Sequence, residues 1–239
     1  MSDSAGVPSG ASVDAAAAET AGDSAPTRTS AAVHRQLDRL AERYSAGENK
    51  IEAMRAREEY FELAGKVFDD DAELFEGRMA AFLEWYVLER PFRGGAAPVV
   101  QVLDDDPALL IEERRTIALV AASHRSLFEL HEVADRTMDL EDVLGGARFL
   151  VTERRHTIGF NRGDLFEARV ISDGASVIFG KTFIFHPADA REVALAAVDA
   201  ALERGVGRDE ILFDLARRHV RWHRFGHIGA AKIYRGETA

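Results

Sequence analysis

The sequence predicts an α+β fold with a helical N-terminal half, a small antiparallel β-barrel or bent sheet, and a C-terminal helical pair. Two observations lead to this prediction. Apolar residues recur with a helical period up to about residue 123 and again after residue 187, whereas the intervening residues form short β-branched and aromatic runs. Gly-Gly, Asn-Arg-Gly and Asp-Gly sequences separate those runs, which is typical of tight turns in a small barrel.

Composition divides the chain into four segments. Residues 1–32 contain almost no large side chains, so we expect a disordered tail there. A helical region follows at 33–123, a small β-barrel at 124–187 and C-terminal helices at 188–239. The tail lacks the basic start and apolar stretch of a signal peptide, no run is apolar enough to span a membrane, and the chain has no cysteine, so we expect a cytoplasmic location.

Two patterns in the helical region bear on its packing. Five apolar residues stand seven apart and predict a core seam rather than a cofactor pocket. These residues are Met54, Phe61, Phe68, Phe75 and Phe82. Two Asp-Asp-Asp triplets, at 69–71 and 104–106, precede helical patterns. Because neighbouring side chains on one segment diverge, we interpret the triplets as helix caps rather than metal ligands, with Asp106 before Pro107 at the first helical position.

The octapeptide ASVIFGKT, residues 175–182, fits the loosest form of the phosphate-binding P-loop. A working P-loop leaves a strand and opens a helix, so that free backbone N–H groups meet the phosphates. Here residues 176–179 are strand formers, and the segment after Thr182 reads as further strand. We therefore expect no nucleotide binding and predict no cofactor.

Short motifs resemble a family of uncharacterised bacterial proteins related to SEC-C-motif-containing proteins. The motifs are Phe82-x-x-Trp85-Tyr86, Ser126-Leu127-Phe128-Glu129, Asp139-Leu140-Glu141-Asp142-Val143-x-Gly145 and Gly163-Asp164-Leu165-x-x-Ala168-Arg169. The resemblance covers roughly residues 60–185. Some members of that family carry a cysteine-rich metal-binding motif, which this cysteine-free chain lacks, and the resemblance implies no reaction.

Candidate binding residues gather near the C-terminus. His219, His223 and His227 are spaced by four, as metal ligands on one helix would be, although packed histidines are the alternative. The same segment has no acidic residue from Leu215 to Tyr234. Its basic and aromatic residues suit an acidic protein or a nucleic-acid-containing partner, although they could equally form a solvated helix face. These candidate partner-binding residues are Arg217, Arg218, Arg221, Trp222 and Arg224.

No catalytic motif for a serine hydrolase, a zinc protease or a Rossmann enzyme occurs. We therefore expect a binding or regulatory module, with no membrane partner. The alternative is an acid–base or metal-assisted hydrolase with its site between the helices and the barrel.

Overall fold

The structure is a computed structural model that describes residues 28–67, 72–134, 136–152 and 159–237. Helices precede and follow a block of strands, which confirms the predicted α+β class. The helices are α1 Arg28–Ser45, α2 Lys50–Ala64, α3 Ala72–Leu88, α4 Pro98–Asp105, α5 Ile111–Ala121, α6 Arg191–Glu203, α7 Arg208–Arg224 and α8 Ala230–Tyr234. The strands are β1 His124–Ala134, β2 Thr137–Asp142, β3 Arg148–Thr152, β4 Leu165–Ser172 and β5 Val177–Phe185. Within these ranges, no helix has the length and apolar character needed to cross a membrane.

The N-terminal helices α1 to α5 share one apolar core. On α1, Val33, Leu37 and Leu40 are buried at helical spacing and face α3 and α5. Because α1 already begins at Arg28, residues 28–32 are helical, and the predicted boundary of the tail at residue 32 is wrong. Residues 1–27 lie outside the described part of the chain.

The predicted seam of five residues is wrong at its first position. Phe61 and Phe82 are buried as expected, but Met54 is 56% exposed and Phe68 lies outside the described residues. The helix α2 instead turns its small residues inward, with Ala53, Ala56 and Ala64 buried beside Tyr60 and Phe61. Small side chains let neighbouring helices approach closely, a preference that the seven-residue spacing does not reveal.

The predicted cap at the second aspartate triplet also needs correction. Asp104 and Asp105 end α4, and α5 begins only at Ile111, so Pro107 does not occupy a first helical position. Asp106 lies in the turn between the two helices. Its carboxylate accepts a hydrogen bond from the backbone N–H of Ala108 (3.0 Å) and pairs with Arg43 (2.6 Å). The triplet at 69–71 lies outside the described residues.

The five strands close into a small barrel in the order β1-β2-β3-β5-β4. The predicted barrel is therefore present, but it is mixed rather than antiparallel, because β3 and β5 run parallel and pair at Val151 and Val177. Alternate residues such as Phe128, Phe166 and Phe179 fill the interior. The strand β4 is buried along both faces, since its outward residues pack against the helices.

Helices contact the barrel on two sides. Ile171, Ile178 and Ile184 on the outer surface of β4 and β5 join the core of the N-terminal helices. Leu127 and Leu165 join a second core with α6, α7 and α8. The end of β5 therefore lies where the N-terminal helices, the barrel and the C-terminal helices meet.

Candidate functional site

A pocket of about 440 Å³ lies between α3, the end of β5 and α7. We call it the Arg78 pocket, after the cationic side chain at its wall. The lining residues are Leu74, Gly77, Arg78, Phe183, Ile184, Phe185, His186, Pro187, His219, Trp222 and His223. Its volume falls within the range of small-molecule sites, and its wall combines a largely apolar surface with one guanidinium and three imidazoles.

Local sequence explains how this pocket forms. On α3, Gly77 precedes Arg78 and leaves space, because a methyl group built there would meet nothing within 4 Å. Pro187 lies two residues beyond the end of β5 at Phe185. Its lack of a backbone N–H stops the ladder after the bond from the His186 N–H to the Leu165 carbonyl (2.8 Å). On α7, His219, Trp222 and His223 are three or four residues apart and so share one face.

Arg78 is almost completely buried, with 1% of its surface exposed. Its Nη2 donates to the carbonyl oxygen of Ala216 (3.1 Å) and to Nδ1 of His219 (3.0 Å). Within the described chain, its Nε and Nη1 find no hydrogen-bond partner. Arginine remains protonated in proteins, so a full positive charge is buried with part of its donor capacity unused.

No described carboxylate forms an ion pair with Arg78. Glu167 is close enough for Arg78 to influence its pKa, which burial raises and the nearby arginines lower, but Glu167 is itself paired with Arg125 (3.2 Å). The buried hydroxyl of Tyr60 is affected in the same way, since burial raises its pKa to about 12 against the charge of Arg78 and a polar contact with that side chain. This contact does not meet hydrogen-bond geometry for Nε or Nη1. Burying a charge without a dedicated counter-charge costs several kcal/mol.

Two buried histidines flank the guanidinium. Burial, reinforced by the charge of Arg78, lowers the pKa of His186 to about 3 and that of His219 to about 2. Nδ1 of His186 is 2.7 Å from the hydroxyl oxygen of Tyr234 on α8, and its Nε2 is buried without a partner among the described groups. Both imidazoles are therefore neutral at pH 7 and add polarity to the pocket but no charge.

The predicted metal ligands do not converge. His219 is buried beside Arg78, His223 lies one turn further along α7 and is exposed, and His227 lies beyond the end of that helix at Arg224. Among the described residues, no group of three His, Cys, Asp or Glu side chains could hold a metal ion. An adjacent guanidinium also repels a dication.

The predicted partner-binding arginines mostly contact their own chain. Arg217 donates to the carbonyl oxygen of Leu63 (2.6 Å), and Arg224 donates to that of Lys66 (3.0 Å), so both hold the end of α2. Arg218 donates to the carbonyl of Tyr234 and pairs with Asp214 (2.7 Å). Trp222 lines the Arg78 pocket, and Arg221 is half-buried. A partner for this face stays a prediction, and these contacts give its arginines a structural role as well.

The outer face of the barrel offers little to nucleic acid. Oligonucleotide-binding barrels of five strands use the face of strands 2 and 3. Here that face carries Asp139 and Glu141 beside Arg148, whose charge they neutralise, and Glu141 also contacts His131 (2.8 Å). An acidic face of this kind repels a phosphate backbone.

The P-loop look-alike has a structural role. Its residues 177–182 lie on β5, whereas Ala175 and Ser176 belong to the preceding turn, so the predicted strand starts one residue later than expected. Glu84 of α3 accepts hydrogen bonds from the Lys181 backbone N–H (2.8 Å) and the Thr182 hydroxyl (3.0 Å). A side chain at Gly180 would lie 3.2 Å from Cβ of Arg169. The Gly-Lys-Thr triplet therefore lets α3 pack closely on the barrel.

The sequence singled out His219, His223 and Trp222 as metal-ligand or partner-binding candidates, and these residues line the α7 side of the Arg78 pocket, but it did not single out Arg78 itself. In the sequence, Arg78 is one of 30 basic residues and lies beside a glycine in a helical pattern, where it reads as a solvated arginine. A basic residue on the same helical face as Leu74, Phe75 and Phe82 was the available signal, since charges on an apolar face are unusual.

Fold and pocket together define an α+β protein with a barrel between two helical layers and a concave site where they meet. By sequence, the chain belongs to a family of unknown function (DUF7986), whose profile matches residues 40–205. The matched range includes Arg78 and His186 but stops before α7. No curated protein and no solved structure matches the chain.

Proposed function

We propose that this protein is a binding module that holds a small anion in the Arg78 pocket. The observation that carries this proposal is a guanidinium buried to 99%, lining a 440 Å³ pocket, with no hydrogen-bond partner for its Nε and Nη1 among the described residues. An anion at the pocket wall would supply the missing counter-charge. Nε and Nη1 are shielded from solvent in the unliganded fold, so the Arg78 side chain would have to shift for the anion to supply the missing acceptors as well.

Charge elsewhere supports an anionic ligand. The protein carries a formal net charge of −11, which repels anions in general, but the segment from Leu215 to Tyr234 is free of acidic residues and contains five arginines and lysines. That segment supplies one wall of the pocket. A locally positive potential at this end of the molecule would attract a small anion towards it.

The same wall favours binding over catalysis. None of the described lining residues carries a carboxylate, hydroxyl or thiol group that could act as a nucleophile. His186 and His219 have pKa values near 3 and 2, so they are weak bases at neutral pH, whereas efficient proton transfer needs a pKa near the working pH. The alternative, an acid–base or metal-assisted hydrolase, would have to rely on His223, the one exposed imidazole of the described wall.

A panel of small anions, each with a neutral analogue, tests the proposal. We expect at least one anion to raise the thermal midpoint of the wild type, because a ligand that binds only the folded state stabilises it by mass action. The shift should disappear in Arg78→Met, which keeps most of the side-chain volume but removes the charge.

Arg55→Gln is the matched control, since Arg55 lies on an exposed face of α2 with 71% of its side chain accessible. It should retain the full shift. If no anion shifts the wild type, or if the shift survives in Arg78→Met, the pocket is not an anion site.

A further inference from the structure

We infer that the ligand of the Arg78 pocket is a monoanionic carboxylate with an apolar, ring-sized body. This inference rests on the proposed anion site and narrows its ligand to one chemical class. Two features of the pocket carry it, namely the number of buried charges and the nature of the remaining wall.

The charge count favours a monoanion. Arg78 is the one fully buried cation among the described lining residues. The buried imidazoles of His186 and His219 are neutral, and the third imidazole, that of His223, is exposed rather than buried in the pocket. A carboxylate neutralises one guanidinium. A phosphate dianion or a nucleotide would bring at least one further negative charge into the same buried space, where an unpaired charge is strongly disfavoured.

The remaining wall favours an apolar body. Phe183, Phe185 and Pro187 line the barrel side, Leu74 lines the α3 side, and Trp222 lines the α7 side. Phe185 is 37% exposed and Trp222 is partly exposed, so aromatic surface is available to a ligand. An aromatic or compact aliphatic body would bury this surface, while a purely inorganic anion would leave it in contact with water.

Four probes separate the two features in isothermal titration of the full-length protein at pH 7.5. Benzoate, benzamide and phenyl phosphate share a ring but differ in charge, whereas acetate shares the carboxylate and lacks the ring. We expect benzoate to bind at least about tenfold more tightly than each of the other three. Arg78→Met should weaken benzoate binding to the level of benzamide.

A second variant blocks the pocket without altering the cation. Gly77→Leu places a side chain in open space at the pocket wall, and replacing glycine within a helix raises its helical propensity. This variant should fold at least as stably as the wild type and lose benzoate binding. It keeps the test decisive even if Arg78→Met fails to fold.

The outcomes separate this inference from the proposed function. Tighter binding of phenyl phosphate than of benzoate, lost in Gly77→Leu, would overturn the monoanion and leave the anion site standing. Acetate binding as tightly as benzoate would overturn the apolar body. If benzoate, phenyl phosphate and acetate all fail to bind, or if binding persists in both variants, the inference is wrong. If, in addition, no anion of the wider panel raises the thermal midpoint of the wild type, the proposed function is wrong as well.

Discussion

The two buried histidines, His186 and His219, determine how the stability of the protein depends on pH. His186 and His219 titrate near pH 6.5 when exposed to water but have pKa values of about 3 and about 2 in the folded chain. Between these values, the unfolded chain binds protons that the native chain excludes. The free energy of unfolding therefore has its full value above pH 6.5, and it decreases as the pH falls below 6.5.

This linkage predicts acid sensitivity well above the range in which carboxylates titrate. Each histidine should cost about 2 kcal/mol of unfolding free energy between pH 7.5 and pH 5, at about 1.4 kcal/mol per pH unit for one proton. Urea denaturation at several pH values measures this slope. His219→Gln should reduce the slope by about half, and a stability that stays constant down to pH 5 would show that the histidines are not buried as described.

The sequence carried only part of the information about these residues. The spacing of His219 and His223 predicts that they share one helical face, and both lie on α7. Their neighbours Arg78 and His186 are 141 and 33 residues away from His219 along the chain, so their proximity depends on tertiary packing that no local pattern encodes.

Among the elements, α7 is positioned by a close contact with the end of α2. Gly65 follows α2 with φ +96°, and a methyl group there would lie 3.3 Å from Cβ of Val220 and 3.4 Å from Cα of Arg217. Arg217 and Arg224 then bind carbonyl oxygens at the same helix end. This contact sets the distance between α7 and the N-terminal helices, and therefore the position of one pocket wall.

Gly65→Ala should consequently destabilise the protein by about 2 to 4 kcal/mol, because it combines a strained backbone with a steric clash. Gly47→Ala is a suitable comparison, since Gly47 also has a positive φ of +56° but has open space around it. We expect a loss of about 1 kcal/mol there. Equal losses in urea denaturation would mean that α7 does not depend on the Gly65 contact.

Element boundaries were predictable where composition changes abruptly. The start of the strands at His124 and their end before Pro187 agree with the sequence-based boundaries, because β-branched and aromatic runs give way to helical periods there. The parallel pairing of β3 with β5 was not predictable. It joins strands separated by β4, and residue patterns specify the faces of strands rather than the order of strands in a sheet.

At the scale of the whole molecule, a buried ionic network joins the barrel to both helical layers. Arg169 of β4 contacts Glu84 of α3 (3.5 Å) and Glu89, while Arg125 of β1 contacts Glu89 (3.1 Å) and Asp209 of α7 (3.3 Å). Removing the carboxylates of Glu84 and Glu89 from water costs free energy, and their ion pairs with the two arginines offset that cost. The network therefore fixes the positions of the barrel and the two helical layers relative to one another around the Arg78 pocket.

Removing one cation from this network should be costly. Arg169→Met leaves the buried Glu84 without its ion-pair partner and Glu89 with Arg125 alone, and we expect a loss of about 3 to 5 kcal/mol. Arg148→Met removes an arginine that is half exposed on the outer face of the barrel and should cost far less stability, because solvent screens an exposed ion pair. Similar losses in denaturant titrations of the two variants would contradict a structural role for the buried network.

The contrast between Arg169 and Arg78 leads to the most direct test of the proposed site. Arg169 is surrounded by carboxylates, whereas Arg78 is buried without one among the described residues. A cation retained for a ligand weakens the unliganded fold, so its replacement by an apolar side chain of similar size should leave stability unchanged or increase it. Urea denaturation of unliganded wild type and Arg78→Met measures this difference. The anion site predicts an unfolding free energy for Arg78→Met equal to or above that of the wild type, and a loss of more than about 3 kcal/mol would show that Arg78 is a structural residue.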